Sequence, residues 1–462
     1  MAAMMDLQEA ARGVGGEARG ANALIAAVSS DTRTIKQGAL FVALRGERFD
    51  GHEYIAAARA RGAVAAMVDR RALASAVAGD SDLPLLVVDD TRLALGRLAA
   101  HWRGKFRLPL IVVTGSNGKT TVKEMIAFIL ADHVGAGHYH ATPGNLNNDV
   151  GLPLTVLGLR DEHRCAVVEL GMNHPGETAQ LAAIAQPTVA LVNNAQREHQ
   201  EFMQSVEDVA HEHGAVFSAL PAEGVAVINA DDRYAEYWRG ACAPRRVLNF
   251  GLERPAAVSG RYTLRDFGSD IVLRTPEGEI EVNLCAAGVH NVRNALAAAA
   301  AASAAGVGLT AIARGLAGFA PVQGRLQQKA AQRGAIVLDD SYNANPDSVI
   351  AAIEVLARVP GAKFLVLGDM GEVGENGAAF HAEIGHHARA AGIDRLYLVG
   401  ELCTHAAAAF GDGAQHFGDI DALLAALEPG LAAGVTVLIK GSRFMRMERL
   451  VQALTRTQAG EH

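Results

Sequence analysis

Residues 108–130 read LPLIVVTGSNGKTTVKEMIAFIL. Leu110–Thr114 is an unbroken apolar run rich in β-branched residues, the composition of a strand covered on both faces. A helix is predicted after it. Between the two lie Gly115, Ser116, Asn117, Gly118, Lys119, Thr120 and Thr121. Small residues at such a turn let backbone N–H groups close around phosphate oxygens, and the helix N-terminus adds a favourable field. Lys119 would neutralise the β- and γ-phosphates of a nucleotide, and the Thr120 hydroxyl would hold its Mg²⁺. The common form of this loop has a further glycine five places before the one preceding the lysine. Val113 stands there, so the loop is not the standard one. A glycine turn with a chance lysine is the ordinary alternative; strand, GKTT and helix in register outweigh it.

Outward from this loop the chain divides into three segments, 1–104, 105–320 and 321–462. The first holds ALFVAL (39–44), a helical stretch His52–Arg61, AVAAMV (63–68) and LPLLVV (83–88). The second adds CAVVEL (165–170), TVALVN (188–193) and VAVIN (225–229) to the strand before the loop. The third holds AIVLDD (335–340), KFLVLGD (363–369), RLYLVG (395–400) and VTVLIKG (435–441). Short apolar runs alternating with helical stretches predict an α/β fold of three domains with parallel sheets.

Composition narrows the function class. The net charge of −8 over 462 residues argues against a general nucleic-acid binder. It also requires that any anion site be built locally. Cys165, Cys242, Cys285 and Cys403 are far apart in sequence, against a disulfide framework or a zinc motif and consistent with a reducing compartment. Met1–Gly20 has no signal-peptide core. The run Ala295–Leu309 is mostly alanine, too weakly apolar to insert, and reads as a packed helix. A cytoplasmic protein without membrane insertion is expected, and a monomer.

Several polar residues stand at the ends of predicted strands, where open α/β sheets bind ligands. Glu169 could ligate Mg²⁺, although a strand-end glutamate alone is an ordinary surface residue. His199 follows TVALVN, one histidine among 17. Asn145–Asp149 could be a polar site or a helix cap. Asn291 and Asn294, in HNVRN (290–294), could cap the alanine-rich helix or meet an adenine edge. Arg325, after Gly324, could swing onto phosphate or lie in a solvated linker. DDSYNANP (339–346) and KGSR (440–443) place two more polar clusters at strand ends.

Together these residues resemble the Mur ligase family, over nearly the whole chain. TGSNGKTT matches its shortened loop, and the glutamate, histidine, HNVRN, GR and DDS elements follow in the family's order. Asp31-Thr32-Arg33 and GALFVALRGERFDGHEY (38–54) resemble the uridine-diphosphate domain of the two late ligases. The DNPR-type element of one of these is absent. LDDSYNANPDS (338–348), LGDMGEVGE (367–375) and IKGSRFMRME (439–448) are similar to the member that adds D-alanyl-D-alanine. A folylpolyglutamate synthetase would share the loop but lacks the uridine domain. A nucleotide-binding protein that has lost catalysis would not need Lys119, Thr120, Glu169 and Asp340 intact.

The resemblance implies ATP and Mg²⁺ as cofactors, with a UDP-N-acetylmuramoyl tripeptide and D-alanyl-D-alanine as the joined substrates. The route would run through an acyl phosphate. It implies Lys119, Glu169 and His199 as catalytic, Thr120, Glu169 and His199 as metal-facing, and Asn291, Asn294, Arg325 and Asp340 on the nucleotide. Asp31, Arg33, Gly46, Asp50, Gly51 and His52 would lie near the UDP-sugar, with Tyr342 and Asn345 near the dipeptide. The first segment would bind the UDP-muramoyl peptide, the second ATP, and the third would close on ATP and bind D-alanyl-D-alanine. One departure stands out. The family usually carries a lysine, carbamylated to hold a second Mg²⁺, where this chain has His213. No lysine occurs between Lys123 and Lys329. The expectation is that His213 hydrogen-bonds a metal-bound water. The alternatives are that Glu212 supplies the oxygen, that the second metal binds weakly, or that His213 is a surface residue.

Overall fold

The computed structural model describes residues 3–74 and 83–455. The first sheet has five strands: β1 (Glu17–Arg19), β2 (Ala27–Ser29), β3 (Ala39–Val42), β4 (Ala63–Asp69) and β5 (Leu85–Val88). Their order is β1-β5-β4-β3-β2, with β1 antiparallel and the others parallel. Helix α1 (Thr91–Arg103) leads out of it, capped by the Asp90 carboxylate on the N–H groups of Arg92 and Leu93. At its far end the buried Arg103 guanidinium donates to the carbonyls of Phe106 (2.8 Å) and Ala185 (3.1 Å). Trp102 donates to the Leu159 carbonyl at 3.1 Å. One hydrophobic core runs from the first sheet into the second, from Met5, Leu40 and Met67 through Trp102 to Leu110, Leu152 and Phe217.

The second sheet is wholly parallel: β6 (Leu110–Thr114), β7 (Tyr139–Ala141), β8 (Cys165–Glu169), β9 (Val189–Val192), β10 (Val225–Asn229) and β11 (Arg246–Phe250). Its order is β11-β10-β9-β6-β8-β7. The chain leaves β6 toward one edge and later returns to build the other, so β6 stands at the switch point where such sheets open a crevice. Helix α2 (Lys119–Val134) starts there; α3 (Glu177–Ala185) and α4 (Val206–Gly214) cover one face. An antiparallel three-stranded sheet follows: β12 (Ser259–Arg265), β13 (Gly268–Thr275) and β14 (Gly278–Leu284). The sequence reading did not separate this meander from the parallel strands. Its signal was the period-two burial of Ile271 and Leu273 between exposed Asp270 and Arg274. The alanine-rich helix α5 (Val289–Ala304) is indeed packed, with Ala295 to Ala302 fully buried. Helix α6 (Leu309–Ala317) crosses α2 so closely that a Cβ on Gly315 would lie 2.4 Å from the Ile129 Cα.

The third sheet joins β15 (Gln327–Ala330), β16 (Ile336–Asp340), β17 (Ala362–Gly368), β18 (Arg395–Val399), β19 (Ala414–Phe417) and β20 (Val435–Lys440). Its order is β15-β16-β20-β17-β18-β19, parallel except for β15. Helices α7 (Pro346–Arg358) and α8 (Gly377–Ala390) lie on it, and each face has its own core. The four cysteines are free.

Candidate active site

The phosphate loop sits where β6 ends. Gly115 and Gly118 have φ of 129° and 83°, conformations that side chains rarely adopt. A Cβ on Gly118 would also lie 2.4 Å from Asn294 Oδ1. The loop is held from β9: Asn194 Oδ1 accepts from the Asn117 N–H at 2.8 Å, and Asn193 Nδ2 donates to the Asn117 carbonyl at 2.8 Å and to Asn294 Oδ1 at 3.0 Å. Asn294 donates to Asn291 Oδ1, and Asn291 to the Ala287 carbonyl. Neither asparagine caps α5, whose N-cap is Gly288. Both instead line a cleft of about 280 Å³ with Gly118, Thr120, Thr121, Arg325 and Asp340.

A second cleft of about 840 Å³ shares Asn117, Thr120 and Arg325 with the first. It adds Ser116, Lys119, Glu169, His199, Tyr342 and Asn345. Lys119 Nζ rests on the Ser116 carbonyl at 3.0 Å and on Glu198 Oε2 at 3.1 Å. Glu169 Oε1 accepts from Asn147 Nδ2 at 2.8 Å, while Glu169 Oε2 is buried with no hydrogen-bond partner. His199 has φ of 50°, a strained backbone for a residue with a Cβ. Its Nδ1 lies 2.5 Å from Glu372 Oε2, and Glu372 too has a positive φ, 57°.

The third sheet closes over the loop through polar contacts. Arg325 stacks on the Tyr342 ring, 4.1 Å from its centroid, and so is not a solvated linker residue. Asp340 accepts from its register partner Lys440 at 2.6 Å and from the Leu326 N–H at 3.1 Å. Burial pushes the Asp340 carboxyl up and the Lys440 ammonium down, each opposed by the charge of the other. Arg197 binds Asp347 at 2.7 Å and Glu383 at 2.7 Å. Asn148 Oδ1 accepts the N–H of Gly151 at 2.8 Å, just ahead of the helix turn Gly151–Val156, whose N-cap position is Val150.

Three expectations need correction. His213 is neither on the surface nor free to hold a water, because it is fully buried with both ring nitrogens taken. Nδ1 lies 2.9 Å from Thr114 Oγ1 and Nε2 lies 2.7 Å from Glu198 Oε1. Glu212 supplies no metal oxygen: its carboxylate accepts the N–H groups of Gly176 (2.8 Å) and Thr178 (2.7 Å) at the head of α3. His52 faces inward at 2% exposure, with Nδ1 2.6 Å from Asp50 Oδ1 and Nε2 accepting the Asp69 N–H at 3.1 Å. A Cβ on Gly51 would lie 2.6 Å from the Leu44 carbonyl, so Gly51 serves the fold as well. Asp31 and Arg33 form an exposed pair at 2.8 Å at the end of β2, and Gly46 and Asp50 lie in the loop after β3. These four share one end of the first sheet, but they line neither cleft.

The sequence reading missed Asn193, Asn194 and Glu198, and it noted Lys440 only within the strand-end cluster KGSR. The asparagine pair directly after a buried strand was a usable signal. Glu198 offered none, since its burial depends on residues distant in sequence.

Three family models match the chain: "Mur ligase family, catalytic domain" over 24–103, "Mur ligase middle domain" over 113–302 and "Mur ligase, glutamate ligase domain" over 324–443. The chain belongs to the Mur ligase family. A relative from Escherichia coli (strain K12), a UDP-N-acetylmuramoyl-tripeptide--D-alanyl-D-alanine ligase, is 43% identical over 446 residues, covering 95% of this chain and 96% of that one. A crystal structure of MurF from Acinetobacter baumannii superposes with a TM-score of 0.90 at 33% identity, over 99% of this chain and 100% of that one. A MurF ligase structure from Thermotoga maritima, in complex with ADP, has a TM-score of 0.79 at 27% identity, over 92% and 96% of the two chains. The Mur ligase fold thus places its three α/β domains here in the order read from the sequence.

Proposed function

We propose that this Mur ligase joins D-alanyl-D-alanine to UDP-N-acetylmuramoyl-tripeptide with ATP, giving the pentapeptide precursor of peptidoglycan. The observation that carries the reading is the convergence on one phosphate loop of residues from the second and third domains. Asn291, Asn294, Arg325 and Asp340 line the nucleotide side, and Lys119, Glu169, His199 and Tyr342 the other. ATP's γ-phosphoryl group moves to the tripeptide's terminal carboxylate, giving an acyl phosphate. The dipeptide amine attacks that carbonyl, and phosphate leaves.

Phosphoryl transfer asks the protein for position and charge more than for covalent help. The N–H groups at the start of α2 orient the phosphates, and Lys119 neutralises their charge. Arg325 and Asp340 reach the nucleotide from the third domain, and Tyr342 and Asn345 bound the space for the dipeptide. Closure of that domain keeps water from the activated carboxyl. The orphaned Glu169 oxygen fits a hard cation, since a buried carboxylate oxygen without a donor is costly. Thr120 and Glu169 would hold Mg²⁺, with His199 facing a second position; the ion spreads the charge of the phosphates. The first domain, 1–104, would bind the UDP-muramoyl peptide, 105–320 ATP, and 321–462 the dipeptide. Asp31, Arg33, Gly46 and Asp50 are the residues we place nearest the UDP-sugar.

No helix among the described residues is long and apolar enough to cross a membrane. We place the enzyme in the cytoplasm, and its net charge of −8 argues against a general nucleic-acid binder. We take it to act as a monomer. The deciding assay mixes ATP, the UDP-muramoyl tripeptide and D-alanyl-D-alanine and follows phosphate release. Release only with all three supports the reading, and release without the dipeptide overturns it.

A further inference from the structure

Glu198 is a carboxylate at 6% exposure with no assigned task. Its two oxygens are in different situations. Oε1 is fixed: His213 Nε2 lies 2.7 Å away, and that ring is itself anchored at Nδ1 by Thr114, the last residue of β6. Oε2 faces the cleft beside the phosphate loop, 3.1 Å from Lys119 Nζ and 3.7 Å from His199 Nε2. Glu198 is therefore a rigid anion aimed at the place where phosphate arrives.

That arrangement is balanced only while Lys119 stays on Glu198. Once Lys119 turns to a nucleotide, Oε2 loses its ammonium partner, and a buried charge left unpaired is strongly unfavourable. A phosphate brought alongside would add repulsion. A divalent cation removes both problems, and Mg²⁺ characteristically takes one or two carboxylates together with phosphate oxygens and water.

We infer that Glu198, positioned by His213, is a divalent-cation ligand of this site, binding through Oε2 a metal that is shared with the nucleotide phosphates and faces His199. This position is distinct from that of Glu169. Among the described residues, one trio of ligand atoms lies within 4.8 Å of one another, that of Asp369, His381 and Cys403. It includes neither Glu169 nor Glu198. That trio is closed to a metal, since both His381 nitrogens and both Asp369 oxygens are already bonded. Glu372 Oε2, 2.5 Å from His199 Nδ1, sets a negative charge behind the imidazole, although Nδ1 makes no hydrogen bond.

The inference rests on the Mg²⁺–ATP reading above, and its test separates the two. Mn²⁺ is titrated into the full chain with a saturating non-hydrolysable ATP analogue. Free Mn²⁺ is read by electron paramagnetic resonance and bound analogue by calorimetry. The wild type should hold two Mn²⁺ per chain and Glu198→Gln one, with the analogue still bound. Two Mn²⁺ in both proteins with equal dissociation constants would overturn the inference and leave the ATP reading intact, as would a single Mn²⁺ in the wild type. A wild type that binds no analogue sinks both. Should Glu198→Gln fail to fold, Glu198→Asp keeps the charge but shortens the reach. It should weaken the second Mn²⁺ by roughly tenfold, and an unchanged affinity would overturn the assignment.

Discussion

Asn117 of the phosphate loop and Asn345 at the head of α7 exchange two side-chain hydrogen bonds, at 2.9 and 3.3 Å. Asn345 also caps α7, accepting the Ser348 N–H at 2.9 Å within a capping box. The two tasks can be separated. Asn345→Ser keeps a good cap but is too short to reach Asn117. Thermal stability should stay within about 0.5 kcal/mol of wild type, while kcat/KM for ATP falls severalfold. Asn345→Ala should lose both, with a further cost of about 1 kcal/mol. Denaturation curves and steady-state rates on the two variants decide this.

Lys119 carries charge to the transferring phosphoryl group. Lys119→Ala should lower kcat by about 10²-fold or more, the usual scale for such an electrostatic contact. Steady-state phosphate release measures it, and near-normal turnover would remove Lys119 from the chemistry.

Arg197 links the second domain to Asp347 and Glu383 of the third. Its planar fork matters, so Arg197→Lys should behave more like Arg197→Ala than like wild type. In a double-mutant cycle with Asp347→Ala, the apparent affinity for an ATP analogue should show a coupling of about 1–3 kcal/mol. Additive losses would mean that the pair plays no part in closing the cleft.

His140, in β7, donates from Nε2 to the Thr155 carbonyl at 2.7 Å, and burial pulls its pKa from 6.5 down to about 4. The folded state therefore keeps His140 neutral where the unfolded chain would protonate it. Stability is complete above pH 6.5 and is lost as pH falls toward 4. A shift of this size is worth about 3 kcal/mol. Urea midpoints measured from pH 7 to 4 should fall less steeply in His140→Gln; parallel curves would place the acid sensitivity elsewhere.

The strand before the phosphate loop and most strands of the three large sheets were legible, because parallel strands buried on both faces are continuous β-branched runs. Lys119, Glu169 and Asn345 were legible because strand ends and loop chemistry are local. Burial of a charge is not local. Glu198 sits in an exposed-looking string, Gln196-Arg197-Glu198-His199-Gln200, and reads as solvated until β6 and α4 are folded against it. His52 failed in the opposite direction. The family resemblance put it near the UDP-sugar, but its two ring nitrogens hold Asp50 and the Asp69 backbone together.

The core that runs without a break from Met5 to Phe217 makes the first two domains one mechanical body. The third has cores of its own, which share with that body only a small apolar contact at Ala287 and Phe267, and it meets the body at the cleft through polar side chains. Polar contacts can be exchanged for water at small cost, whereas shearing a shared apolar core cannot. We therefore propose that the motion that admits and releases substrates belongs to the third domain, whose apolar contact with that body is the smaller one. A nucleotide-sugar held on the first domain would keep its alignment with the phosphate loop through every cycle, so the acid to be activated is aimed before the enzyme shuts.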